Sequence, residues 1–270
     1  MIESDEIEQL LVHIANAYGY DFTGYARASL KRRIDSFYMK GRFHSFKAME
    51  EKILKDAAYF MYFIEEITVN VTEMFRDASF YQTLREKIFP SLATYPFIRI
   101  WHAGCSTGEE VYSMAILLKE ANLLHKSILY ATDLNQAVLE KAKTGIFPMS
   151  TMQQNSENYM KCGGKEDFSK YYHANYNNAK FDHSLAERMI FSTHNLAADA
   201  SFNEFQLILC RNVLIYFSRE LQAKVLQLFD RSLESLGYLG LGSKESLRFS
   251  PIASHFKPVD GREKIWRKSK

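Results

Sequence analysis

The sequence predicts a doubly wound α/β domain preceded by a small all-helical domain. Three observations carry that prediction. The first ninety residues place apolar side chains at helical spacing and show no strand alternation. From residue 97 onward, short apolar runs alternate with amphipathic stretches, the pattern of a parallel sheet covered by helices. The length, 270 residues, suits two domains or one large domain with an insertion.

The helical domain is expected over residues 1–67. Ile7, Leu10, Leu11, Ile14 and Tyr18 form one stripe, and Gly19 is a stop signal. Leu30, Ile34 and Phe37 mark a second helix. Phe46, Met49 and Ile53 mark a third, with Ser45 placed to cap it. Phe60, Phe63, Ile64 and Ile67 mark a fourth. Residues 68–90 read as a linker and a helix. Thr68 to Thr72 are β-branched and polar, a poor helix interior. The helix over 77–89 carries Phe80, Leu84 and Ile88 and is expected to end at Pro90.

The α/β domain takes up residues 91–270. Strands are predicted over 97–101, 128–132, 205–210 and 238–241, and helices over 108–118, 135–143 and 221–236. Residues 256–259 and 264–267, split by Asp260-Gly261, read as a terminal hairpin. Residues 146–188 break the alternation. They are polar, rich in Asn and Tyr, with a turn signal at Cys162-Gly163-Gly164-Lys165 and an exposed strand over 171–176. Forty residues are too many for a loop inside a compact domain, so they read as an inserted subdomain.

Composition excludes several classes. Hydrophobic residues at 47% and charged residues at 24% are ordinary for a globular chain. A net charge of +2 argues against nucleic acid as a partner. No apolar run is long enough to cross a bilayer, so no membrane insertion is expected. The acidic start MIESDEIEQ is unlike a signal peptide, which points to a cytoplasmic protein. Three scattered cysteines make no disulfide framework, and eight histidines show no metal-binding spacing; no metal is expected.

The chemistry gathers at strand ends. Ala103-Gly104-Cys105-Ser106-Thr107-Gly108-Glu109-Glu110 links the first strand to a helix. Small residues permit a sharp turn and close approach of a ligand to the backbone. The absence of a following Lys disfavours nucleotide phosphates, and two acids at the helix start would repel a pyrophosphate. A tight turn with helix-stabilising acids is the plainer alternative. Asp133, at the tip of the second strand, suits ribose hydroxyls, or else caps the next helix. A glycine loop, a ribose-binding acid and no phosphate-binding Lys together point to S-adenosylmethionine. Cys210-Arg211-Asn212-Val213-Leu214-Ile215-Tyr216-Phe217 delivers further polar groups to the same sheet edge. A half-buried aromatic and a surface ion pair are the plainer readings of Tyr216 and Arg211.

In this order the motifs Asn70-Val71-Thr72-Glu73-Met74-Phe75-Arg76, Gly104 to Glu110, Ala131-Thr132-Asp133, Asn195-Leu196 and Cys210 to Phe217 resemble the CheR-type chemoreceptor glutamate methyltransferases. The resemblance covers nearly the whole chain. It implies a Rossmann-like methyltransferase domain whose insertion is a small antiparallel sheet. It implies methyl transfer from S-adenosylmethionine, leaving S-adenosylhomocysteine, to glutamates in the cytoplasmic helical region of chemotaxis receptors. Asn70, Thr72, Arg76, Gly104, Glu109, Asp133, Asn195, Leu196, Arg211 and Asn212 fall on its cofactor positions, and Arg76 and Tyr216 on its catalytic pair. Val111 stands where the family commonly has Pro. Some members tether a receptor tail peptide at the β subdomain, a second expected partner.

Residues 21–47 carry seven Lys and Arg against two Asp. A solvated basic face explains such a run; docking of Arg27, Lys31, Arg32 and Arg33 onto an acidic helical receptor is the sharper expectation. Rival readings are a methyltransferase of another protein or a small molecule, and a cofactor-binding docking module without catalysis.

Overall fold

The computed structural model describes residues 2–68 and 72–269. Helices α1 (Ser4–Tyr18), α2 (Arg27–Gly41), α3 (Phe46–Lys55) and α4 (Ala57–Ile67) follow the four stripes of the sequence. Their apolar faces close on a core of their own, with Leu10, Leu11, Ile14, Ile34, Met49 and Phe63 fully buried. Gly19, at φ 76°, ends α1, and the Ser45 hydroxyl accepts from Ala48 N at 3.2 Å. Asp56 caps α4, a role the sequence reading missed; its carboxylate accepts from Ala58 and Tyr59 N.

The next helix differs from expectation at Pro90. It runs as α5 (Ala78–Thr83), a π-helical turn (Leu84–Ile88) and α6 (Phe89–Leu92). In the widened turn Phe89 N donates to Leu84 O, five residues back. Pro90 then sits in the first turn of α6, where its fixed φ suits the helix. The chain therefore passes through the proline as helix.

Among the described residues the main sheet has seven strands in the order β6-β2-β1-β7-β8-β10-β9. The parallel set is β1 (Ile98–Ala103), β2 (Ser127–Asp133), β6 (Met189–Thr193), β7 (Phe205–Cys210) and β8 (Leu233–Leu241). The hairpin β9 (Phe256–Asp260) and β10 (Ile265–Lys268) adds antiparallel to β8. Helices α7 (Glu109–Glu120), α8 (Gln136–Thr144) and α11 (Arg219–Ser232) cover the faces. Strand order reverses between β1 and β7, which opens a crevice beyond their carboxyl ends.

Two expectations shift here. The helix expected over 221–236 ends at Ser232, and β8 begins at Leu233. A bulge allows this: β7 advances from Phe205 to Leu207 while β8 advances from Leu233 to Tyr238. The edge strand β6 was not anticipated, because it is mostly exposed and its apolar run, Met189-Ile190-Phe191, is only three residues long.

The insertion is half helical. Strands β3 (Ile146–Pro148), β4 (Tyr172–Asn175) and β5 (Asn178–Phe181) form an antiparallel sheet in the order β3-β5-β4. Between them lies α9 (Met152–Lys161), and the one-turn α10 (His183–Ala186) leads out. Polar composition hid α9 because its buried face includes Asn155 and Asn158 beside Met152 and Tyr159.

Candidate functional site

At the end of β1, Gly104 takes φ 81°, and a Cβ there would stand 2.5 Å from Val213 Cγ2. Gly104 N and Cys105 N both donate to Thr132 O, which ties the loop to β2. Ser106, at φ 50°, donates its N–H to Asp133 Oδ2 at 2.9 Å, and Asn135 N donates to Oδ1 at 3.0 Å. The cap of α8 is Asn135, whose side chain accepts from Ala137 N. Asp133 is thus spared the capping role and faces the crevice. Burial pushes its carboxyl above the usual range despite those two donors.

Arg211, 3% exposed at its side chain, braces the floor. Its Nη2 donates to Arg76 O at 2.9 Å and to Asp77 Oδ2 at 2.7 Å, and its guanidinium lies 4.1 Å over the Phe80 ring. Nη1 reaches Glu110 Oε2 at 3.4 Å, and Glu110 Oε1 lies 2.9 Å from His102 Nδ1. Burial pushes the Glu110 carboxyl up, but His102 and Arg211 outweigh it and hold the group below its ordinary value.

The turn after β7 is held from below. Asn212 takes φ 62°, and the Glu245 carboxylate accepts from Gly242 N at 2.6 Å, Asn212 N at 3.1 Å and Val213 N at 2.9 Å. That turn carries Tyr216 to the rim. From the other side, Tyr25 bridges Phe217, Ala26 N donates to Tyr216 O at 2.8 Å, and Ser218 N donates to Gly24 O at 2.8 Å. These bonds dock the start of α2 against the sheet edge, so the helical domain forms a pocket wall.

The resulting pocket encloses about 1230 Å³, its open mouth included. Thr72, Arg76, Gly104, Asp133, Asn195, Leu196, Arg211, Asn212 and Tyr216 all line it. Asn70 lies outside the described residues. Glu109 does not line it; its carboxylate accepts from the Thr107 hydroxyl at 2.7 Å, and burial pushes it up. The neighbouring acid, Glu110, lines the pocket instead. Successive helical side chains point about 100° apart, so adjacent acids cannot share one direction. Of the basic residues expected to dock a partner, Arg27 pairs with Glu8 at 2.7 Å and Lys31 donates to Ile2 O at 2.9 Å. Arg32 is exposed, and Arg33 lines the pocket.

Sequence reasoning missed Glu110, Glu245, His194 and the α2 wall. For Glu110 the signal was present but ambiguous between two acids. For Glu245 the only signal was an acid three residues past a strand-ending glycine.

The pocket has the chemistry of a nucleoside site. Ser106 Oγ, His194 Nδ1, Arg33 Nε and Arg211 Nε are buried without a partner among the described residues, and all four residues line it. Orphaned buried polar atoms call for a polar ligand. Asp133 offers acceptor capacity for hydroxyls, and the Gly104 turn lets a flat ligand meet the backbone.

The fold and the site define an α/β protein that takes a nucleoside at the switch point of its sheet. Comparison with known proteins narrows the class. Residues 70–265 match the CheR methyltransferase, SAM binding domain, and residues 5–68 the CheR methyltransferase, all-alpha domain. The chain is 47% identical over 264 residues to the putative methyltransferase Cher3 of Pseudomonas putida, covering 98% of this chain and 97% of that protein. It is 34% identical over 232 residues to a chemotaxis protein methyltransferase of Listeria innocua, covering 85% of each. Among solved structures, the N-methyltransferase NodS from Bradyrhizobium japonicum in complex with S-adenosyl-L-homocysteine is similar at a TM-score of 0.42 and 12% identity, over 83% of this chain and 98% of that one. The chain belongs to the CheR methyltransferase family, and its cofactor is S-adenosylmethionine. Among the described residues no helix is long and apolar enough to cross a membrane, and no cluster fit for a metal ion occurs.

Proposed function

We propose that this chain methylates glutamate side chains in the cytoplasmic helical region of chemotaxis receptors, forming methyl esters. The observation that carries the reading is the convergence of Arg76 and Tyr216 on one pocket wall, from segments 140 residues apart in the sequence. S-adenosylmethionine, when bound, supplies an electrophilic methyl on a sulfonium. Asp133, Asn195 and the Gly104 turn would hold it.

The residues of the chain need do little acid–base work. A glutamate titrates near about 4.3, so the acceptor is already a carboxylate at neutral pH and no general base is required. The chain's contribution is to orient and to exclude water. Holding donor and acceptor in line removes about 7–11 kcal/mol of barrier in well-oriented cases. Burial pushes the Tyr216 phenol up, while Arg33 and Arg76 draw it down. The raised net value keeps the phenol protonated at neutral pH, able to donate to an acceptor carboxylate. Arg76, fixed through its carbonyl by Arg211, orients that carboxylate or the cofactor's own.

An acidic receptor bundle would meet the exposed Arg27 and Arg32, with Lys31 on the same helix. The outer strand β4, with His173, Ala174 and Asn175 exposed, offers an edge to an extended receptor tail.

The test is transfer of tritiated methyl to isolated receptor membranes. Base-labile label on glutamate supports the reading; base-stable label, or none, overturns it. Arg76→Ala and Tyr216→Phe should each lower the single-turnover rate about 100-fold or more at saturating cofactor. Wild-type rates in both would remove their assigned roles.

A further inference from the structure

Residues 72–77 present Thr72, Glu73 and Arg76 to the pocket, yet they belong to no helix or strand. Two of them, Phe75 at φ 53° and Asp77 at φ 59°, sit in the left-handed region without being glycine. Such a backbone persists only where its surroundings over-determine it. Four side-chain bonds do so here. Met74 N donates to Asn155 Oδ1 at 3.1 Å, and Asn158 Nδ2 donates to Met74 O at 3.1 Å. Phe75 N donates to Ser113 Oγ at 2.9 Å, and Arg211 Nη2 donates to Arg76 O at 2.9 Å. The Phe75 ring is buried against Tyr81, Tyr159 and Phe168.

Ser113 and Arg211 come from the main domain, but Asn155 and Asn158 come from α9, in the insertion. They stand one turn apart, 1% and 8% exposed, on the face that otherwise buries Met152 and Tyr159. Apolar residues would serve a helix interface better there, since a buried amide is costly unless both its ends are paired. Both amides are paired at both ends: Asn155 Nδ2 donates to Thr151 Oγ1 at 3.4 Å, and Asn158 Oδ1 accepts from Gln154 Nε2 at 3.0 Å. Their orientations are thereby fixed, and each grips one side of the same residue.

We infer that Asn155 and Asn158 are positioning residues for Arg76, through which the inserted subdomain sets the geometry of the transfer site. The inference rests on the proposed role of Arg76. The clamp fixes both peptide planes flanking Met74, and so the direction in which the chain departs toward Arg76 two residues on.

The chemistry predicts an asymmetry. Asn155 needs only an acceptor toward Met74, so Asn155→Asp keeps its bond; the Thr151 hydroxyl, which now donates to Pro148 O at 2.8 Å, exchanges that surface bond for one to the carboxylate. Asn158 needs a donor, so Asn158→Asp sets a carboxylate oxygen against Met74 O. Single-turnover methylation at saturating cofactor should fall about tenfold or more in Asn158→Asp and stay within about threefold of wild type in Asn155→Asp. Asn158→Leu, which removes the donor without adding charge, should show the same fall of about tenfold or more against wild type, and it carries the test if Asn158→Asp fails to fold. Binding of S-adenosylhomocysteine, followed by calorimetry, supplies a readout independent of the acceptor. Arg76→Ala and Asn158→Leu should each weaken it, and the double variant should be no weaker than Arg76→Ala alone. Equal rates in Asn155→Asp and Asn158→Asp, or multiplicative losses in the double variant, would overturn the inference. Failure of the wild type to label receptor glutamate would instead overturn the proposed function and leave the binding cycle standing as the test of the clamp.

Discussion

At Gly104 a side chain has nowhere to go. An alanine would carry a left-handed backbone at φ 81°, costing about 1–2 kcal/mol, and its methyl would press on Val213. Because that contact joins the first glycine turn to the turn bearing Asn212 and Tyr216, Gly104→Ala should weaken S-adenosylhomocysteine binding by at least about tenfold, measured by calorimetry. The residues legible from sequence share a reason for being legible. Gly104 and Arg211 directly follow a strand, Asn212 comes one residue later and Asp133 ends one, so finding the strand places the residue at the sheet edge. Glu110, Ser113 and Glu245 bond to parts of the chain that only folding brings near, and no local spacing announces that. In the basic run, Arg27 pairs with Glu8 of α1, Lys31 donates to Ile2 O and Arg33 lines the pocket.

Between elements, Glu120 at the end of α7 joins three segments. Its carboxylate, 3% exposed, receives Arg85 from the π-helical turn, Tyr159 from α9, and the Tyr171 hydroxyl at 2.8 Å. Burial pushes its carboxyl up, but Tyr159, Arg85 and Tyr171 outweigh that and lower it. A depressed carboxyl stabilises the fold at pH values above its unfolded value of about 4.3 and loses that contribution as pH falls through the folded value. Glu120→Ala should cost about 3 kcal/mol in urea unfolding at pH 7, because it strands Arg85. The gap between wild type and Glu120→Gln should narrow as the unfolding series is carried below pH 4. Elements with a strong period were legible, as α1–α4, β1 and β7 illustrate. Helix α9 was not, because its inward face is amide as well as apolar, and β6 was not, because the apolar run of an edge strand is short, here Met189-Ile190-Phe191.

On the scale of the molecule, two domains share one cleft. The seam is backbone-deep: Tyr25 pairs with Phe217, and Gly24 O accepts from Ser218 N. Gly24 is close-packed, since an added Cβ would lie 2.8 Å from Leu221 Cδ2. Gly24→Val should therefore prise α2 from the sheet edge. Overpacking costs about 1–3 kcal/mol, and cofactor affinity should fall about tenfold in calorimetry. The apolar period of the sequence changes near residue 68. Nothing in a period could say that the two units would close on the same ligand.

The cleft's divided ownership has a further consequence. A molecule lodged there would meet Ser29 and Arg33 on one side and Asp133 and Asn212 on the other, and so would bridge the two units. Occupancy should stiffen the small helical unit as much as the sheet. Loss of spent nucleoside should in turn relax both units together.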